Sequence, residues 1–177
     1  MAVAGFGPTQ TVRFALPAHA PAAEALVRRL GVVFRALKGV AYRERLASDE
    51  THALAARWRL EPPNRVEYSI AGGAQGIVIG DRRWDRDTPH GKWVESEQTV
   101  LRQPSPQWAY PVNAHVIAQT PATTTVSFAD PTIPAYFTVT LDPKTLRLRV
   151  MHMTAASHFM TDTYLGFSAR RAILPPR

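Results

Sequence analysis

The chain has 177 residues, 45% hydrophobic and 20% charged, which allows one domain with a real core and is too short for two of ordinary size. With 15 prolines against 10 glycines, stiffened turns should be many and long helices few, and without cysteine no disulfide framework, zinc knuckle or thiol nucleophile can be built. A formal charge of +7 favours anionic lipid headgroups, nucleic acid or an acidic protein as partner, or serves solubility alone; the arginines are scattered without a basic run, so nucleic acid is not expected.

In chain order, Met1 to Gln10 lacks the basic and apolar segments of a leader, and no stretch approaches the ~18 apolar residues of a membrane span. Taken alone, the chain is expected to stay where it is made unless it is a piece of something longer. Thr9 to Leu16 reads as a short strand or extended lead-in, so residues 1–20 are expected to be a connector and 21–177 a single domain. From Pro21 to Lys38, Leu26, Val27, Leu30, Val33, Phe34 and Leu37 form the stripe of an amphipathic helix closed by Gly39.

The period then changes to two. Thr51 to Leu60 sets Leu54, Ala56, Trp58 and Leu60 against Arg57 and Arg59, and after Pro62-Pro63-Asn64 the segment Arg65 to Ile70 repeats the alternation. Gly76 to Gly80, Arg82 to Asp87 and Lys92 to Glu95 continue the meander with Trp84 and Trp93. Leu101 to Pro111 is rich in proline and aromatics, as a short helix or a packed loop. Ala114 to Gln119, Thr123 to Ala129, Tyr136 to Leu141 and Leu146 to Thr154 are further strands, with Asp130-Pro131 and Asp142-Pro143 as turns. The expected fold class is α+β: a large curved antiparallel sheet, an incomplete β-barrel, with an N-terminal helix on its concave face.

No G-x-S-x-G elbow, phosphate-binding glycine loop or H-E-x-x-H helix occurs, so an enzyme is not expected. Asp81, Asp85, Asp87 and His90 alternate with Arg82, Arg83 and Arg86, which reads as a salt-bridged hairpin ahead of a cation site. Met151, Met153, His158 and Met160 offer thioethers and imidazole, the donors a soft Cu(I) ion prefers, or else plastic packing. Strand parity puts Arg147, Arg149, Met151 and Met153 on one face and Leu146, Leu148, Val150 and His152 on the other, so the four ligands converge only through a turn near Ala155-Ala156. Trp58, Tyr68, Ile70, Ile79, Trp84, Trp93, Phe137 and Val139 are the candidates to line the inner surface of the sheet, against the helix or around a lipid-sized groove.

The order of helix, long meander, Leu-Asp-Pro turn and last strands resembles the extracytoplasmic LolA/LppX-type lipoprotein-carrier fold. Tyr42-Arg43-Glu44-Arg45-Leu46-Ala47-Ser48, Trp58-Arg59-Leu60, Leu101-Arg102-Gln103-Pro104, Pro134-Ala135-Tyr136-Phe137 and Met153 to Met160 look closer still to a C-terminal domain of actinobacterial copper-resistance membrane proteins of the CopC/CopD type. The resemblance implies an extracytoplasmic, noncatalytic carrier or sensor domain without a resident cofactor. It would bind a lipid or acyl chain near an anionic membrane; the alternative is a copper-binding domain linked to a membrane-spanning copper transport protein.

Overall fold

The computed structural model describes residues 20–49, 51–156, 158–168 and 171–177. The expected lead-in over Thr9 to Leu16 lies outside them. Helix α1 (Pro21–Arg35) starts with proline in its first turn, carries Glu24 near its positive end and Arg35 near its negative end, and buries Ala23, Val27, Leu30, Gly31 and Phe34. Burial of Val27, Leu30 and Phe34 contributes roughly 1.5–3 kcal/mol each, which anchors a helix too short to stand alone.

Eleven strands follow: β1 (Val40–Ala47), β2 (Ala53–Glu61), β3 (Arg65–Ile70), β4 (Gln75–Ile79), β5 (Arg82–Arg86), β6 (Val94–Glu97), β7 (Val112–Gln119), β8 (Thr124–Asp130), β9 (Ala135–Leu141), β10 (Leu148–Ala155) and β11 (His158–Gly166). They form one antiparallel sheet in the order β6-β5-β4-β3-β2-β1-β11-β10-β9-β8-β7. The chain thus meanders outward from β1 to one edge, crosses to the other edge, and meanders back until β11 pairs with β1 in the middle. The edges β6 and β7 do not meet, so the sheet is not closed into a barrel. Strands β1 and β11, the two at the centre, have no counterpart among the segments expected from alternation.

Residues 98–111 are the crossover, an irregular packed segment without a helix. The Gln103 N–H donates to the Pro63 carbonyl (2.9 Å), and Trp108 packs edge-on against Phe128 and Phe137 at 5.2 and 5.9 Å. Its far end is fastened by Asp130, whose carboxylate accepts the N–H groups of Ala109 (2.6 Å) and Tyr110 (2.9 Å) and, on its other oxygen, the N–H and hydroxyl of Thr132. Crossover and helix both cover the concave face, where the main core holds Val27, Leu30, Phe34, Trp108, Phe137, Val139 and Met151.

Two expectations about faces are corrected. A register irregularity between Leu148 and Val150 shifts the parity of β10, so Leu148 and Met151 both point into the core while Arg147 and Arg149 are exposed. Ile79, Trp84 and Trp93 belong to a second, separate cluster with Ile77 and Ile173, on the convex face. There the C-terminal segment is clipped down: the Ile173 N–H donates to buried Glu61 at 2.9 Å, Arg65 donates to the Ile173 carbonyl at 2.6 Å, and Arg59 donates to the Arg171 carbonyl.

Candidate ligand-binding face

Cross-strand register sorts the concave face into rows perpendicular to the strands, because residues directly opposite one another share a face. The innermost row of interest is aromatic: Tyr164, Tyr42, Trp58 and Tyr68 are successive partners on β11, β1, β2 and β3. Their ring centroids lie 5.5, 6.1 and 5.0 Å apart, and Phe34 of α1 meets Tyr164 edge-on at 6.0 Å. Tyr68 ends the row over Gly76, where a Cβ would lie 2.2 Å from its ring, and its hydroxyl donates to Asp85 at 3.0 Å.

The next row toward the β1–β2 turn is mixed: Val126, Val139, Met151, Asp162, Glu44, Ala56 and Ile70. Two carboxyl groups stand here side by side in the core, and among the described residues the hydrogen bond at Asp162 comes from the crossover, Gln107 Nε2 donating to Oδ2 at 3.1 Å. Its Oδ1 has no partner among the described residues. Burial, with Glu44 beside it, pushes Asp162 up to about 8. Burial also raises Glu44, partly offset by the Trp58 indole N–H, which itself lacks a well-formed hydrogen bond. The Tyr42 and Tyr164 hydroxyls are raised by burial and then by these carboxyls.

The outermost row is apolar across six strands: Phe128, Phe137, Met153, Met160, Leu46 and Leu54. At its β1–β2 end it opens into a cleft of about 450 Å³ walled by Leu46, Leu54, Ala53, His52, Thr51 and His158, among others. Phe128 and Phe137 are buried, Met153 and Leu46 half-buried and Leu54 exposed, so the row runs from the core to solvent. Helix α1 lies alongside β7, at the other side of the sheet, and Trp58, Tyr68 and Ile70 remain half-buried.

Of the expected lining, Trp58, Tyr68 and Ile70 sit on this face at its half-buried side, and Phe137 and Val139 at its filled side; Ile79, Trp84 and Trp93 do not join them. Met151, Met153, Met160 and His158 share the concave face through the β10–β11 hairpin, with Met153 directly opposite Met160. Met151 is fully buried, whereas His158 is at the cleft. Among the described residues no group of three or more His, Cys, Asp or Glu could hold a metal ion. Around Asp85 the expected pairing forms with Arg83 at 2.5 Å, but Arg82 turns to Glu95 instead. Sequence reasoning missed Glu44, Asp162 and Gln107; the available signal was Tyr-x-Glu-x-Leu at 42–46 and Met-x-Asp-x-Tyr at 160–164, acids at positions whose neighbours two residues away are apolar.

No family model and no curated protein matches the chain. Among solved structures it is similar to LprF from Mycobacterium bovis, with 10% identity, 90% of this chain and 99% of that one covered, and a TM-score of 0.54. A LolA superfamily protein, NE2245 from Nitrosomonas europaea, aligns with 9% identity over 84% of this chain and 94% of that one, at a TM-score of 0.37. The chain shares the fold of LprF, and that fold, a helix against a large open antiparallel sheet, is of the class expected from the sequence. A copper-resistance protein is not among these likenesses.

Proposed function

We propose that this chain is a noncatalytic, extracytoplasmic carrier or sensor module that takes a lipid or acyl chain on its concave face. The observation that carries the reading is the apolar row from Phe137 through Met153, Met160 and Leu46 to Leu54, continuous from buried core to an open cleft. A hydrocarbon tail entering at Leu54 would meet Leu46, Met160 and Met153 in turn, apolar side chains throughout. The sequence resemblance to the LolA/LppX-type carrier fold supports the same reading. No helix among the described residues is long and apolar enough to cross a membrane.

The test is native mass spectrometry of the protein as purified, followed by titration of the delipidated protein with cis-parinaric acid. One lipid-mass adduct per chain and saturable fluorescence are expected. Absence of both the adduct and saturable fluorescence would overturn the carrier reading.

One observation favours copper handling as a second reading: Met153 and Met160 are direct partners with His158 on the same face. Copper would then be cargo held by two thioethers and an imidazole near the cleft. Cu(I) titration of the wild type against Met153→Leu separates the two readings, because only copper handling predicts a stoichiometric ion lost in that variant.

A further inference from the structure

The convex face carries a basic row. Thr163, Arg43, Arg57, Ser69, Gln75 and Arg86 are successive register partners from β11 through β1 to β5. At about 4.8 Å between strands the row is roughly 24 Å long. It holds three arginines and no acid. Arg43 stands directly opposite Arg57, an arrangement of like charges that works against strand pairing.

Acids are present in the next two rows, where Glu67 and Glu61 pair with Arg59 and Glu95 pairs with Arg82. Arg43, Arg45 and Arg57 have no carboxylate partner among the described residues, and Arg86 binds the neutral Gln75 amide and lies over the Trp93 ring at 4.5 Å. Next to the row, Arg45 and Phe159 wall a cleft of about 520 Å³ with Ala47, Ser48 and Asp49, whose carboxylate accepts the N–H groups of Thr51 and His52. Phe159 and Tyr136, on the same face at the end where the β8–β9, β10–β11 and β1–β2 turns gather, are 50% and 71% exposed.

We infer that this face docks on an anionic phospholipid surface, with Arg43, Arg45 and Arg57 over the phosphates and Phe159 and Tyr136 as interfacial anchors. Charge complementarity chooses the occupant: three guanidinium groups without carboxylate partners on one face match a layer of phosphates, each arginine donating in a fork that fits a phosphate oxygen pair. The exposed aromatics match the headgroup layer, where rings with one wet side settle. Anchoring through Phe159 brings the turn end, and with it the concave cleft at Leu54, to the bilayer. That last step rests on the carrier reading; the docking itself does not.

The experiment is co-sedimentation of the full chain with vesicles of phosphatidylcholine alone and of phosphatidylcholine with about one third phosphatidylglycerol, at low and high salt. The triple variant Arg43→Gln, Arg45→Gln, Arg57→Gln is compared with Arg29→Gln, Arg102→Gln, Lys144→Gln, which removes the same charge elsewhere. Binding to anionic vesicles only, screened by salt and weakened on the order of 100-fold in the first triple but far less in the second, is expected. Equal weakening in both triples, or equal binding to both vesicle types, would overturn the inference. So would saturable binding of inorganic phosphate by the same arginines without vesicle binding, which assigns the row to a soluble anion. Acyl-chain retention by native mass spectrometry reads the groove separately and should be the same in the first triple as in wild type. An empty groove with vesicle binding intact sinks the carrier reading alone.

Discussion

Glu44 and Asp162 face each other as direct register partners across β1 and β11, 9% and 0% exposed, at the centre of the sheet. Two carboxyls so placed cannot both ionise at low cost, so at least one holds a proton through the neutral range. Protonated Asp162 is a donor at an otherwise orphaned oxygen while Gln107 serves the other.

The pair makes stability depend on pH in a fixed direction. Asp162 titrates near 3.8 unfolded and about 8 folded, so the folded state holds the extra proton between those values. Its contribution is fully present below pH ~4 and is lost as pH rises through about 8. Melting temperature should therefore fall from pH 5 to pH 9, and Asp162→Asn, which keeps the Gln107 contact, should flatten that slope and melt higher than wild type at pH 9. An unchanged slope in the variant would falsify this account.

Asp130 works with the opposite sign. Burial alone would raise it, but bonds from Thr132, Tyr110 and Ala109 outweigh that and hold it at about 2. Its stabilisation is present above the unfolded value near 3.8 and lost as pH falls through about 2. Asp130→Ala leaves backbone donors of the crossover without a partner and should cost roughly 2–4 kcal/mol. Amide exchange at Ala109 and Tyr110 should quicken more than exchange in β4; uniform change across the sheet would argue against a local clasp.

Gly76→Ala tests the end of the aromatic row. The new Cβ would meet Tyr68 ring atoms at 2.2 and 2.6 Å and Asp85 Oδ1 at 2.9 Å, so ring and carboxylate have to move. A loss of about 1–3 kcal/mol in chemical denaturation is expected. Adding Tyr68→Ala should recover part of it, giving a coupled cycle; simple additivity of the two losses would show that the ring is not the obstacle.

Leu54 stands at the mouth of the apolar row and already faces solvent, so Leu54→Lys should change stability by less than about 0.5 kcal/mol. On the carrier reading it should weaken cis-parinaric acid binding about tenfold or more, by placing a solvated charge across the hydrocarbon path. Equal affinity in the variant would remove Leu54, and the cleft with it, from the site.

Local chemistry determined most of the elements. The stripe of Val27, Leu30 and Phe34 specified α1 and the face it buries, the alternation at Leu54 to Leu60 and Val66 to Ile70 specified β2 and β3, and the Asp-Pro pairs marked turns whose carboxylates do accept backbone N–H groups, as Asp142 does from Lys144 and Thr145. Strands β1 and β11 were illegible because Glu44 and Asp162 occupy inward positions, and an alternation test scores a carboxylate as outward. Only the tertiary structure decided which face is concave and what shares it. Face assignment within a strand needs only parity, but between strands it needs register, and a slip of one residue reverses every side chain. Hence Trp84 and Ile79 lie under Ile173, far along the chain, and the irregularity in β10 turns Met151 inward with Leu148. Sequence alternation carries the period of two; the long-range pairings that align the six-strand arginine and apolar rows on opposite faces are set by the packed sheet.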